Sequence, residues 1–258
     1  MKTYTPASLP SARRLAADAH VLVAEDSDIG QLLAASTLAK LGFTNIDAAY
    51  DGQQAVESYK HHTHDLILLD CQMPVLDGFQ VAQRIRQDGI DSSHHVPIIA
   101  VTASTDVTDH AKARRAGMDD VIVKPLLVHI LLPIVRRWFD VAANHTMVGS
   151  DSGPLCEADQ LHMFTQGDGR RKQRIMGLFF NQATAALRDL HAALAAGDAE
   201  AWCFTAHRLK GAAMNVAVTE IVLLSTQAEA APTATREEKQ RLLMMLADAL
   251  RRVQIVQQ

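Results

Sequence analysis

Five times between residues 20 and 140 a short apolar run gives way to a stretch with helical spacing. HVLVAED precedes GQLLAASTLAKLG, NIDAAY precedes GQQAVESYKHH, and DLILLD precedes GFQVAQRIRQ; VPIIAVT then precedes DHAKARRAG, and DDVIVKP precedes LLVHILLPIVRRWF. Strands that each lead into a helix read as a parallel sheet with helices on both faces. The runs are apolar throughout instead of alternating, which is the pattern of strands buried on both sides. The expected fold of residues 20–140 is therefore an α/β, doubly wound, five-stranded parallel sheet, preceded by an N-terminal linker over 1–19.

The rhythm then changes. Residues 141–154 (VAANHTMVGSDSGP) lose periodicity and gather Gly, Ser, Asp and Pro, which reads as a second linker. Beyond it no strand pattern survives, and residues 155–258 carry helical spacing rich in Ala and Leu. Gly167-Asp168-Gly169 precedes a long helix, Gly197-Asp198 pairs a C-cap glycine with an N-cap aspartate, and Pro232 ends a helix before a capping-box pattern at Thr235–Glu238. This second, all-α domain is expected to be an up-and-down four-helix bundle, with Ile175, Leu178, Phe179, Gln182 and Leu187 in its core.

A chain of 258 residues is long enough for two such domains, each with its own core. Its formal charge of -4 argues against a strongly basic binder of nucleic acid or anionic membrane. Three widely spaced cysteines (Cys71, Cys156, Cys203) cannot form a disulfide framework and fit a reducing compartment. The first twenty residues hold two prolines and no apolar run of signal-peptide length. The run LLVHILLPIV at 126–135 is interrupted by His129 and Pro133 and is too short to span a bilayer. A cytoplasmic protein without a membrane segment is expected.

In an open parallel sheet, ligands bind beyond the carboxyl ends of the strands. Here those ends carry Glu25-Asp26, Asp70, Thr102 and Lys124-Pro125. Three carboxylates at one edge repel unless a cation neutralises them, and hard oxygen donors without Cys or His favour Mg²⁺. One carboxylate could then act as a nucleophile towards phosphorus, with the hydroxyl and the ammonium holding phosphoryl oxygens.

These residues also carry a family resemblance. AEDSD at 24–28, LILLDCQMPVLDGF at 66–79, AVTA at 100–103 and VKP at 123–125 resemble, in order, the motifs of response-regulator receiver domains, whose fold is flavodoxin-like. The resemblance implies that Asp70 is the phosphoacceptor and that Glu25, Asp26 and Asp70, with the backbone carbonyl of Gln72, hold Mg²⁺. It further implies that Thr102 and Lys124 contact the phosphoryl group and that the Lys124–Pro125 peptide is cis. Val121 stands where switching receivers carry Tyr or Phe, a departure that argues for a domain that passes the phosphoryl group on.

Among twelve histidines, His207 stands out. It lies within the helical stretch FTAHRLKGAAMNV, with Lys210 one turn later and Gly211 at i+4 on the same face. An imidazole with a cation one turn away can accept a phosphoryl group, and a mid-helix glycine, ~1 kcal/mol worse than alanine, points to close approach by another surface. AHRLKGAA resembles the mark of histidine-containing phosphotransfer (HPt) domains. The resemblance implies phosphorylation of His207, Lys210 as its electrostatic partner, and Glu229, or failing it Gln227, as the group that orients the imidazole. Ala217 stands where the family often has glycine. His61, His62 and His64 before the third strand could bind a transition metal, but read more simply as a solvated loop. Cys71 reads as a buried thiol.

The two resemblances together imply a two-component phosphorelay protein. Its expected partners are a histidine kinase upstream and a response-regulator receiver downstream, with no nucleic acid. Two alternatives are the C-terminal portion of a hybrid sensor histidine kinase and a phosphorylation-gated interaction module. No ATP-binding kinase core is discernible.

Overall fold

A computed structural model describes residues 14–88, 95–104, 106–141, 164–165 and 167–256. The chain divides into two compact units between residues 152 and 153. Among the described residues no helix is long and apolar enough to cross a membrane.

In the first unit, β1 (Arg14–Leu15), β2 (His20–Ala24), α1 (Asp28–Lys40), β3 (Asn45–Ala49) and α2 (Gly52–His61) are followed by β4 (Leu66–Asp70), α3 (Gly78–Asp88) and β5 (Ile98–Thr102). α4 (Val107–Arg115), β6 (Asp120–Val123), α5 (Val128–Val135) and β7 (Phe139–Asp140) complete it. β2 to β6 form the expected parallel sheet in the order β3-β2-β4-β5-β6. Alternate residues of its inner strands feed two cores. Val21, Val23, Leu66, Leu68, Ile99 and Val101 face Leu38 of α1 and Leu131 and Val135 of α5. Leu22, Ala24, Ile67, Leu69, Ile98 and Ala100 face Val56 of α2, Val81 and Ile85 of α3, and Ala113 of α4. Burial on both faces is why these runs carry no polar alternation, each Leu, Ile or Val side chain contributing ~1.5–3 kcal/mol.

Two sequence expectations need correction. β3 is an edge strand with Asn45 exposed and Asp47 half-buried, so it is not apolar throughout. Residues 14–19 are not linker: β1 pairs in parallel with β7, and Ala16 and Ala19 are buried in the same core as Val135 and Val141. Two-residue strands joined across the whole unit leave no periodic trace. Residues 1–13, Cys156, most of the 141–154 linker and the start of the second domain lie outside the described residues.

The second unit contains α6 (Gly169–Ala196), α7 (Ala199–Asn215), α8 (Thr219–Glu229) and α9 (Arg236–Val256). Asp168 caps α6 through the Arg170 and Arg171 N–H groups, Asp198 caps α7 through the Ala201 N–H, and Gly197 has φ +70°. Thr235 and Glu238 exchange reciprocal hydrogen bonds at the start of α9. α7 packs between α6 and α8, and α9 packs on both of those. Trp202, Phe179, Leu190, Leu209 and Leu246 are buried. The buried stripe of α6 runs Ile175, Met176, Phe179, Ala183, Ala186, Leu190 and Ala193, whereas Leu178, Gln182 and Leu187 are only half-buried. Small alanines line the seam because they let neighbouring helices come close, and a reading keyed to large apolar residues passes over them.

Candidate functional site

The parallel register builds the first site. Asp70 lies opposite Val101, and Thr102 lies opposite Val123, so the ends of β4, β5 and β6 bring Asp70, Thr102 and Lys124 side by side. β2 ends beside β4 and delivers Glu25 and Asp26. Carboxylate oxygens of Glu25, Asp26 and Asp70 lie within 4.8 Å of one another. The buried Lys124 ammonium donates to Asp70 Oδ2 at 2.7 Å and lies 2.7 Å from Glu25 Oε2. The Gln72 N–H donates to Asp70 Oδ1 at 3.1 Å, and Thr102 Oγ1 accepts from the Ser104 N–H at 3.0 Å. The Lys124–Pro125 peptide is cis. Val121 is half-buried and packs against the core shared by α2 and α3.

One ammonium does not balance three carboxylates. Burial pushes the Glu25 carboxyl up to about 8, and although Lys124 lowers it, the Asp70 and Asp26 charges add to the rise. Burial alone would lower the Lys124 ammonium, but the Asp70 and Glu25 carboxylates outweigh it and raise its pKa. The donor set is oxygen only and short of positive charge, which fits a hard divalent cation such as Mg²⁺. Burial pushes the Cys71 thiol up to about 12, as befits an inert packed thiol.

Two positioning features escaped the sequence reading. The buried Gln31 amide donates to the carbonyls of Val23, Glu25 and Ala49 at 3.1, 3.0 and 2.8 Å, tying the acidic loop to the sheet. A Cβ at Gly30 would come within 2.3 Å of the Glu25 side chain, so only glycine there lets Glu25 fold inward. Neither a glutamine nor a glycine in the first turn of a helix carries a distinguishing signal.

In the second unit, His207 and Lys210 on α7 meet Glu229 at the end of α8. His207 Nδ1 lies 2.7 Å from Glu229 Oε1, and Lys210 Nζ donates to Oε2 at 2.6 Å. Burial would raise the Glu229 carboxyl, yet the hydrogen bonds and charges of His207 and Lys210 hold it down at about 2. An ionised Glu229 accepts from the Nδ1–H and leaves Nε2 out of that hydrogen bond. Trp202 Nε1–H donates to the Ala228 carbonyl at 2.8 Å and the Cys203 thiol to the Glu229 carbonyl at 3.4 Å, which pins Glu229 opposite His207. Gln227 lines a different surface, with Arg241 and Met245. His207 and Gly211 are both buried, His207 with 4% exposure. Ala217 stands in the α7–α8 turn at φ +57°, the conformation for which glycine is the usual choice.

The sequence model of the family described as response regulator receiver domain matches residues 21–136, and that of the Hpt domain matches residues 174–254. The chain is a receiver domain followed by an Hpt domain. Aerobic respiration control sensor protein ArcB of Escherichia coli (strain K12) is 28% identical over 214 residues, 81% of this chain and 27% of that protein. Sensor protein EvgS of the same strain is 27% identical over 226 residues, 88% of this chain and 18% of that protein. A crystal structure of the receiver domain of sensor histidine kinase PA1611 from Pseudomonas aeruginosa PAO1, with a magnesium ion coordinated in its active site cleft, is 36% identical. It covers 46% of this chain and 96% of that one, with a TM-score of 0.42. The chain spans between 7% and 27% of the length of the curated relatives it matches.

Proposed function

We propose that this receiver–Hpt pair is a phosphorelay intermediate of a two-component system, working in the cytoplasm. Its receiver takes a phosphoryl group on Asp70 from a histidine kinase, and its Hpt domain carries one on His207, to or from a receiver aspartate. A single observation supports this most: one chain holds a carboxylate cluster built around a buried lysine and an imidazole whose Nδ1 is held by an ionised glutamate.

In the receiver, a carboxylate oxygen of Asp70 attacks phosphorus and the bond to the donor imidazole breaks. Lys124, already at Asp70, moves its ion pair onto the incoming phosphoryl oxygens, and the Thr102 hydroxyl donates to another. Glu25, Asp26, Asp70 and the Gln72 carbonyl would hold Mg²⁺, which when bound neutralises charge on the phosphoryl group. In the Hpt domain, Nε2 of His207 attacks the phosphorus of a receiver's acyl phosphate, the bond to the aspartate oxygen breaks and its carboxylate is released, while Glu229 keeps the proton on Nδ1 and stabilises the cationic ring. Lys210 adds positive charge one turn away.

Acetyl phosphate with Mg²⁺ should place one acid-stable phosphoryl group on the peptide containing Asp70. Asp70→Asn should abolish it, and equal labelling of that variant's receiver would refute the assignment. A second reading, that the pair is the C-terminal portion of a hybrid sensor histidine kinase, is favoured by alignments to sensor proteins that run across 81–88% of this chain. The parent open reading frame would decide between them.

A further inference from the structure

The receiver's sheet carries a second cluster of ligating side chains at the opposite end of its strands. We propose that His20, Asp47, His62 and His64 form a binding site for a divalent transition-metal cation of the Zn²⁺ class. Three imidazole nitrogens converge on one carboxylate oxygen: Asp47 Oδ2 lies 3.0 Å from His20 Nε2, 3.1 Å from His64 Nε2 and 3.5 Å from His62 Nδ1. Tetrahedral Zn²⁺ with bonds of about 2.0–2.1 Å places its ligand atoms about 3.3 Å apart, the spacing these three contacts bracket. The ligating atoms of His20, Asp47 and His64 all lie within 4.8 Å of one another.

Hydrogen bonding accounts for only part of the convergence: His64 Nε2 meets Asp47 Oδ2 at hydrogen-bond distance, 3.1 Å. His20 Nε2 is buried and has no hydrogen-bond partner among the described residues, although it sits 3.0 Å from the carboxylate. The rings are also close: the His20 and His64 centroids are 4.6 Å apart, and His62 lies 6.0 Å from each. Three imidazoles and one carboxylate form a nitrogen-rich set that suits Zn²⁺ and discriminates against Mg²⁺. The helix end adds to the site. α2 terminates at His61, with His62 as its C-cap, and the negative end of a helix dipole favours a cation there.

The four residues come from separate parts of the chain. His20 opens β2, Asp47 sits in β3, and His62 and His64 lie between α2 and β4. A bound cation would tie the start of the sheet to the end of α2. Glu25 follows His20 by five positions along β2, roughly 16 Å of extended chain, so the site is independent of the acidic cluster.

The test is Zn²⁺ titration of the untagged full chain in excess Mg²⁺, which occupies the acidic cluster, with Co²⁺ absorption reporting coordination geometry. The wild type should bind one Zn²⁺ tightly and give the intense visible bands of tetrahedral Co²⁺. His62→Ala and Asp47→Asn should each weaken binding by about 10–100-fold or more, the range expected even for loss of an outer-shell partner. The His62 side chain is 57% exposed, so its removal leaves the fold intact, which circular dichroism verifies. Absence of tight binding in the wild type would overturn the site. So would wild-type affinity in either variant, or an octahedral Co²⁺ spectrum.

Discussion

Replacing Glu229 by glutamine should destabilise the Hpt domain by roughly 3 kcal/mol at neutral pH. Glu229 accepts from His207 and Lys210 at 2.7 and 2.6 Å, and these partners hold its carboxyl at about 2, against an ordinary value of 4.5. That difference of about 2.5 units corresponds to roughly 3 kcal/mol, since one unit is about 1.4 kcal/mol. The carboxyl is depressed in the folded state, so its contribution is complete above about pH 5 and fades as the pH falls from 4.5 towards 2. At pH 3 roughly 2 kcal/mol of it is already gone. Glutamine keeps the shape but has no charge, and its amide can satisfy only one of the two donors. Urea unfolding of the full chain in a Trp138→Phe background leaves Trp202, buried in α7, as the only tryptophan. With a slope of ~1–3 kcal/mol per molar urea, the pH 7 midpoint should fall by about 1–3 M. The gap between variant and parent should narrow at pH 3. A shift below about 0.5 kcal/mol at pH 7, or a gap independent of pH, would show that His207 and Lys210 do not hold Glu229 ionised at a gain in stability.

Ala217→Gly should stabilise the Hpt domain by about 0.5–1 kcal/mol, because alanine at φ +57° carries a left-handed penalty that exceeds the entropy lost by glycine; the same Trp202 melt measures it, and a loss of stability would show that the turn is unstrained. Lys124→Met removes the only ammonium found between Glu25 and Asp70 among the described residues and should cost the receiver about 3–5 kcal/mol without divalent cations. Added Mg²⁺ should restore much of that loss by binding the folded state, as urea melts with and without the cation will show.

Much of this was legible because the signals were local. Asp168, Gly197, Asp198 and the Thr235–Glu238 box mark helix ends within four residues of chain, and the structure uses each of them. The acidic site was legible for a topological reason: in a parallel sheet all strand ends of one kind meet, so Glu25, Asp26, Asp70, Thr102 and Lys124 could be assembled from strand order alone. What stayed hidden depends on pairings between distant segments. β1 meets β7 across the whole unit, Gln31 reaches three carbonyls from two strands and a loop, and Asp47 and His20 turn the His62–His64 stretch from a loop into a cluster. The burial of His207 and Gly211 was also invisible, since a helical pattern shows which residues share a face but not how far that face is covered.

In the proposed relay, Asp70 and His207 exchange a phosphoryl group as carboxylate and imidazole. Two variants of the full chain separate the halves: Asp70→Asn, labelled on histidine with phosphoramidate, serves as donor, and His207→Gln, unlabelled, serves as acceptor. With Mg²⁺ present, alkali-stable label on His207 of the donor should decline as acid-stable label appears on Asp70 of the acceptor, each located by peptide mass spectrometry. Chelation should stop the transfer. A donor that labels equally well after His207→Gln is added to it, or an acceptor that gains label equally well when Asp70 is also replaced by Asn, would contradict the account.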